Sequence, residues 1–180
     1  CSRKIYEGFR YVSFRFLHKR CEVENIFRGK YRTHLFGVIK QVDKKTAQQL
    51  DVASGTKWLK VSGFRYRKDT KQPLCWTEYY INRDYAAIGR LLQRYTGPIF
   101  TLIEDFSGQR IAEVEQQISA TIIPQHLYTE LHTKPGSAAL VVRRTYKAAD
   151  NKILQVTINT HLAESFKHTM TMRRIKQQPN

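Results

Sequence analysis

The sequence predicts an α+β domain with an antiparallel sheet of six or seven strands and about four helices. Apolar and polar residues alternate along several runs that are separated by short polar turns, which is the pattern of β-hairpins. Strands joined in this way favour an antiparallel sheet over a doubly wound parallel one. Two similar hairpin units, residues 47–81 and 128–162, predict a pseudo-two-fold internal repeat. Two units are too few for a solenoid, which needs at least about three.

Each repeated unit is predicted to contain a helix that ends at a glycine, a strand, a polar turn and a second strand. The corresponding residues, 80 or 81 positions apart, are Leu50 and Leu131, Gly55 and Gly136, Tyr66 and Tyr146, and Thr77 and Thr157. Two such units can pair into one antiparallel sheet. Symmetry-related sites are then expected between the sheet and its helices.

The first half of the chain is interpreted element by element. Residues 6–16 alternate like a strand or extended arm, and residues 18–30 read as a basic linker. A strand is predicted over 33–42, followed by a helix that Asp43 caps and that ends at Leu50. The first hairpin joins 58–67 to 74–81, and Asn82 caps a helix over 85–95.

In the second half, a helix is predicted over 99–106 after the break at Gly97-Pro98. Its apolar face carries Ile99, Leu102, Ile103 and Phe106, and Ser107-Gly108 ends it. A long strand follows over 110–122. Pro124 opens the helix of the second unit, and Lys134-Pro135-Gly136 closes it. The second hairpin ends at residue 162, and a last strand is predicted over 166–174.

Length and composition limit the class of protein. A chain of 180 residues with 41% hydrophobic content can bury the core of a single domain. No apolar run approaches the roughly 20 residues of a membrane span, and no signal peptide is predicted. The three cysteines are odd in number and lack a CxxC spacing, so we expect free thiols in a reducing cytoplasm.

The net charge of +16 suggests that the protein binds nucleic acid, but the distribution of this charge along the chain weakens that interpretation. Residues 1–45 carry half of the excess, and the rest is dispersed over the two units. A dispersed charge is typical of a solvated surface. An anionic small ligand and phosphate contacts with DNA remain as the alternatives.

Signatures of catalysis and metal binding are lacking in the sequence. It contains no GxSxG, Walker, GxGxxG or HExxH motif, and its six histidines include no i,i+4 pair. Glu104 and Asp105 are neighbours on a predicted helix, so their side chains point to different faces. We therefore predict no catalytic residue, no metal site and no cofactor.

Polar residues occupy one face of each strand that closes a hairpin. Cys75, Thr77 and Tyr79 share a face in the first unit, as do Gln155, Thr157, Asn159 and His161 in the second. These faces either meet solvent or, if a helix covers them, line a polar pocket. In the second case the guanidinium of Arg65 could bind a carboxylate or phosphate in bidentate fashion.

The ordered set of motifs resembles the effector-binding UTRA domain of HutC-type bacterial transcription regulators of the GntR family. The resemblance covers about residues 33–174 and includes Ala47-x-x-Leu50, residues 58–65, Pro73-Leu74-Cys75-Trp76-Thr77, residues 97–104, Val114-Glu115-Gln116-x-Ile118-Ser119-Ala120, residues 139–144 and Val156-Thr157-Ile158-Asn159-x-His161. It implies a chorismate-lyase-like fold. It also implies a domain that senses a metabolite such as a sugar phosphate, an amino-acid derivative or an organic acid, without catalysis.

The resemblance also implies where a ligand binds. The expected ligand-binding residues are Arg65, Thr77, Tyr79, Gln117, Ser119, Thr157, Asn159 and His161. Family members form homodimers and contact DNA through an N-terminal winged helix. Residues 1–32 lack that pattern and are predicted to be a basic arm or linker. Residues 33–174 are predicted to be the effector-binding domain and residues 175–180 a tail.

Two positions depart from the family. Many members carry a carboxylate where Thr77 stands, and many carry an arginine where Ser165 stands. The first departure disfavours an amino-sugar ligand and the second alters the expected anion site. A lyase on the same fold and a basic nucleic-acid-binding module remain as alternative functions.

Overall fold

A computed structural model describes residues 31–67, 73–92, 94–95 and 97–170, of which residues 31–40 and 67 are described by their backbone alone. The strand predicted over 6–16, the basic linker and the tail lie outside the described residues. So do Cys1 and Cys21, whereas Cys75 is a buried free thiol, as predicted.

Six strands form one antiparallel sheet in the described part of the chain. They are β1 (Tyr31–Gln41), β2 (Lys57–Arg67), β3 (Pro73–Asn82), β4 (Glu113–Ile122), β5 (Ala138–Lys147) and β6 (Ile153–Leu162). Their order across the sheet is β1-β2-β3-β6-β5-β4. The predicted α+β class with an antiparallel sheet is confirmed.

The two halves of this sheet meet where β3 pairs with β6. Thr77 lies opposite Asn159, and Tyr79 lies opposite Thr157. Each half contains an outer strand and a hairpin, in the order β1-β2-β3 and β4-β5-β6. The predicted internal repeat therefore corresponds to a pseudo-two-fold axis between β3 and β6.

Matching β-bulges mark the two hairpins. In the first, Arg65 faces Cys75 but Tyr66 faces Pro73, so Leu74 is an extra residue. In the second, Tyr146 faces Gln155 but Lys147 faces Ile153, so Leu154 is extra. A bulge bends a strand and re-aims the neighbouring side chains. This register equates Arg65 with Tyr146, whereas the sequence comparison had matched Tyr66 with Tyr146.

A helix covers each face of the sheet. Helix α1 (Lys44–Leu50) packs through Ala47 and Leu50 against Trp58, Tyr80 and neighbouring apolar residues, and we call this side the α1 face. Asp43 caps it as predicted, since its carboxylate accepts a 2.7 Å hydrogen bond from the backbone N–H of Thr46.

Helix α2 (Ile99–Ser107) covers the opposite side, which we call the α2 face. A 3₁₀ helix, Arg83–Arg90, packs beside it, and their buried residues enclose Leu59, Val61 and Ile81 of the sheet. Gly108 ends α2 with a φ of 71°, a left-handed conformation that glycine adopts without strain. A smaller apolar cluster on the α1 face joins Ala139 and Leu162 to a short 3₁₀ helix, Gln125–Leu127.

Several predicted elements differ from the structure. The helix predicted over 85–95 is the 3₁₀ helix 83–90, whose three-residue turn aligns the buried Tyr85 and Ile88. The helix expected after Pro124 shortens to Gln125–Leu127, because only Leu127 and Leu131 anchor a segment rich in His and Thr, which are weak helix formers.

Two predictions near the ends of elements also need correction. Phe106, predicted on the apolar face of α2, is 51% exposed because it lies in the last turn, just before Gly108 redirects the chain. Residues 163–170 form no strand, and the remainder of the strand predicted over 166–174 lies outside the described residues.

Candidate ligand-binding site

A buried polar cluster lies on the α2 face where the two halves of the sheet meet. Thr77 of β3 and Thr157 and Asn159 of β6 are almost completely buried. The alternation of each strand aims these side chains at the same face, because Thr77 and Asn159 are cross-strand partners. The Thr77 hydroxyl donates a 2.9 Å hydrogen bond to the Asn159 side-chain oxygen, and the Cys75 sulfur lies 3.5 Å from the same hydroxyl.

Arg65 brings a positive charge into this cluster. Its side chain is only 6% exposed, and its guanidinium donates a 2.9 Å hydrogen bond to the Tyr79 hydroxyl. The position just before the bulge at Leu74 places Arg65 beside Cys75 on the α2 face. A guanidinium stays protonated at any physiological pH, so the charge is fixed.

Tyr146 occupies the corresponding position in the second half. Burial raises the pKa of Tyr146 to about 12, although the positive charges of Arg144 and Arg65 and a hydrogen bond with Thr157 act in the opposite direction. The ring of Phe100, in the first turn of α2, stacks on Tyr146 with 5.3 Å between ring centroids. The cluster therefore contacts the covering helix directly.

Gln155 extends the polar cluster along β6. Its side-chain amide donates a 2.8 Å hydrogen bond to the Thr157 hydroxyl. Its side-chain oxygen is buried and accepts no hydrogen bond from the described residues. A buried acceptor of this kind normally has a partner, such as water or a ligand.

His161 and Arg144 lie toward the other end of the cluster. Burial lowers the pKa of His161 to about 4, and the charges of Arg65 and Arg144 act in the same direction. His161 is therefore a neutral imidazole at pH 7. Its ring stacks on Phe166 with 4.0 Å between centroids, while Arg144 donates a 2.7 Å hydrogen bond to the side-chain oxygen of Gln116.

The structure brings six of the eight predicted site residues together. Arg65, Thr77, Tyr79, Thr157, Asn159 and His161 all lie on the α2 face. Gln117 and Ser119 are exposed and lie on the α1 face, because they pair with Arg143 and Val141 on that side of β5. They do not join the cluster.

Three members of the cluster were not predicted as site residues: Arg144, Tyr146 and Gln155. Gln155 had been placed on the polar face of β6, and the alternation of residues 140–146 puts Arg144 and Tyr146 on one face of β5. The sequence does not show which side of β5 lies on the same face of the sheet as the polar side of β6. Only the strand pairing shows this.

The charged side chains of this cluster are basic. None of the residues that β2 to β6 place on the α2 face is acidic, whereas Arg65 and Arg144 lie on that face. Among the described residues, no three histidine, cysteine or acidic side chains group as a metal site requires. In the same part of the chain, no helix is long and apolar enough to span a membrane.

Comparison with known proteins assigns the family. A family model for the UTRA domain matches residues 28–167, which is most of the chain. The chain belongs to the UTRA domain family. This confirms the resemblance found in the sequence, and GntR-family transcriptional regulators recur among the solved structures that share the fold of this UTRA domain. A search of curated proteins gives no match.

Three solved structures illustrate how far the similarity extends. The ligand-binding domain of a protein assigned to the GntR family from Bordetella bronchiseptica superposes with a TM-score of 0.67 at 14% identity, covering 81% of this chain and 90% of that one. A GntR-family regulator from Bacillus cereus gives 0.68 at 12% identity, covering 81% and 100%. PhnF from Mycobacterium smegmatis gives 0.65 at 10% identity, covering 79% of this UTRA domain and 62% of PhnF. At these identities the likeness establishes the fold alone.

Proposed function

We propose that this UTRA domain is the effector-binding domain of a GntR-type transcription regulator of the HutC subfamily, and that it senses a small polar anion. The observation that carries the proposal is the buried cluster between the two halves of the sheet, with the Arg65 guanidinium inside it. The effector class that fits is a sugar phosphate, an amino-acid derivative or an organic acid.

The anionic character of the effector follows from the charges around the cluster. Arg65 and Arg144 lie on the same face of the sheet as His161, and the positive charge of each lowers the pKa of His161. A guanidinium binds carboxylate or phosphate through paired N–H donors, and this interaction strengthens where water is excluded. An anion bound there would be held by fixed charges that need no reorganisation.

The polar character of the effector follows from the neutral groups around the arginines. Hydroxyl and amide groups of Thr77, Tyr79, Thr157 and Asn159 come from both halves of the sheet. Sites for small metabolites combine apolar walls with a few such groups, which fix the orientation of the ligand. A ligand with both an anionic group and hydroxyl or amide groups would use both sets.

The regulatory step would begin with contacts to both halves of the sheet and to α2. Because Phe100 stacks on Tyr146, a ligand that moves Tyr146 also moves α2. A ligand can shift such an equilibrium only by its difference in affinity for the two states. We propose that the domain works as a cytoplasmic homodimer, transmits this shift to a DNA-binding domain and does no catalysis itself.

A thermal-shift screen tests the proposal. Inorganic phosphate, glycerol phosphate and citrate serve as anionic probes, and glycerol serves as the uncharged control. Binding at a hundredfold excess over Kd stabilises the folded state by about 2.7 kcal/mol, which gives a clear increase in melting temperature. If no anion stabilises the chain at millimolar concentration, the proposal is wrong.

Neighbouring arginines provide a matched control for this screen. Arg144 lies on the α2 face, whereas Arg143 lies on the α1 face, where it donates to the Gln49 carbonyl and pairs with Glu115. Arg65→Met and Arg144→Met should each remove the anion-induced stabilisation, and Arg143→Met should keep it. Equal loss in all three variants would indicate a general charge effect and not a site.

A further inference from the structure

The outer edge of β4 is open in the described part of the chain. β4 pairs with β5 on one side, and it ends the order of strands on the other. Nine of its ten residues are exposed. An edge strand presents a row of N–H and C=O groups to solvent, and these groups can pair with another strand.

The last seven residues of β4 also lack the features with which proteins protect an edge. From Gln116 to Ile122 it contains no charged residue, no proline and no glycine. Ile118 is 37% exposed and Ile122 is 55% exposed, and both lie on the α2 face of the sheet. Lysine, proline and bulges are the usual means of preventing edge-to-edge pairing.

The two acidic residues of β4 are neutralised within the same sheet. The ammonium group of Lys147 lies 2.9 Å from a carboxylate oxygen of Glu113 and 3.3 Å from one of Glu115. Arg143 lies 3.6 Å from Glu115. Both acids lie at the start of the strand, so the remaining seven residues form a neutral, partly apolar edge.

We infer that the occupant of this edge is a second copy of the chain, whose β4 pairs antiparallel with the first about a two-fold axis beside Ile118. In this register Ile118 faces its own copy, Val114 faces Ile122 and Gln116 faces Ala120. Glu115 faces the uncharged Thr121, so no like charges oppose each other. The inference deepens the proposed homodimer by assigning its surface.

This register keeps the apolar side chains of both copies on one face. A two-fold axis perpendicular to the sheet places the α2 faces of both copies on the same side. Directly opposed apolar residues in antiparallel strands stabilise the pairing. The two six-stranded sheets would then form one continuous sheet.

The interface shares a strand with the candidate binding site. Gln116, one position along β4 from Gln117 and on the same face as Ile118, accepts the hydrogen bond from Arg144. The geometry of the edge and the position of Arg144 are therefore linked through one strand.

Cysteine cross-linking tests the register. In a background with Cys1→Ser and Cys21→Ser, Ile118→Cys should form an intermolecular disulfide on mild oxidation, since directly opposed cross-strand residues lie about 5 Å apart at Cβ. Thr121→Cys is the matched control on the same strand. Its two copies would be six residues apart along the strands, about 20 Å, and should not cross-link. Equal cross-linking of the two variants would overturn the register.

Measurement of mass in solution tests the surface. The mass in solution should rise from 21.2 kDa toward twice that value as the concentration of the chain approaches about 100 µM, because an interface below about 1,200 Å² is typical of weak dimers. Ile118→Lys should raise the dissociation constant at least about tenfold, since like charges would face each other. Phe106→Lys, at an exposed apolar residue of α2, should not change it.

Other outcomes would contradict the inference in distinguishable ways. A dimer that Ile118→Lys leaves intact would use another surface. A monomer that Ile118→Lys destabilises would mean that a segment of the same chain covers the edge. Each of these results leaves the anion screen unaffected, so a failure of this inference does not imply failure of the proposed effector-binding role.

Discussion

Thr77 and Asn159 join the two halves of the sheet through a hydrogen bond of 2.9 Å from the Thr77 hydroxyl to the Asn159 side-chain oxygen. The two residues are 82 positions apart in sequence, and both are buried. They lie directly opposite each other across the β3–β6 junction. The bond therefore connects the two repeated units at the place where the candidate site is formed.

Thr77→Val should destabilise the fold. The replacement keeps the shape of the side chain but leaves the buried Asn159 oxygen without its donor, at a cost of about 1–3 kcal/mol. Urea denaturation of the wild type and the variant measures the change in free energy of unfolding.

A double-mutant cycle separates this hydrogen bond from general packing. Asn159→Leu removes the other partner, so the double variant should lose less stability than the sum of the single changes. Additive losses would show that the two side chains do not depend on each other.

Thr145→Val should stabilise the protein. Thr145 is 2% exposed on the α1 face, and its hydroxyl finds no hydrogen-bond partner among the described residues. Valine has the same shape without the buried polar group, so we expect a gain of about 1 kcal/mol. Denaturant unfolding checks this value.

Thr157→Val is the matched control for that stabilisation. Thr157 is similarly buried, but its hydroxyl accepts a hydrogen bond from Gln155. The same substitution should therefore lower the free energy of unfolding. A gain in both variants would show that β-branched apolar residues are simply preferred in these strands.

Local sequence patterns predicted much of the fold and several residues of the buried cluster. Asp43 was recognised as a cap because its carboxylate precedes a helical pattern, and Thr77, Thr157 and Asn159 were recognised because strand alternation is local. Each of these inferences needs only a few neighbouring residues.

The remaining features depend on pairing between distant strands. The equivalence of Arg65 and Tyr146 follows from bulges at Leu74 and Leu154, which exist only once the hairpins have formed. Gln117 and Ser119 were expected at the site from the family resemblance, but the register of β4 against β5 places them on the other face. Arg144 was not predicted as a member of the cluster for the same reason.

Tyr146 should make the stability of the fold decrease at alkaline pH. Its pKa is about 12 in the fold and about 10 in the unfolded chain, so its contribution is present below pH 10 and is lost as the pH rises toward 12. The loss would reach about 2–3 kcal/mol. Tyr146→Phe should weaken this dependence, as unfolding measurements between pH 9 and 11 can show; identical curves would contradict the buried position of the phenol.

His161 should make the stability of the fold decrease at acidic pH, so this stability rises with pH, whereas the contribution of Tyr146 falls with pH. Its pKa is about 4 in the fold and about 6.5 in the unfolded chain, so the unfolded state binds more protons between these values. Stability is therefore complete above pH 6.5 and decreases as the pH falls toward 4, by up to about 3 kcal/mol.

His161→Gln removes the titrating group and should flatten the stability curve between pH 4 and 6.5, relative to the wild type. Arg144→Met should raise the pKa of His161, because one of the two positive charges that lower it is gone. A bound anion should raise it as well, since it offsets the same charges. NMR titration of the His161 ring protons, with and without inorganic phosphate, measures both shifts. If phosphate stabilises the fold but leaves the pKa of His161 unchanged, the anion binds away from His161.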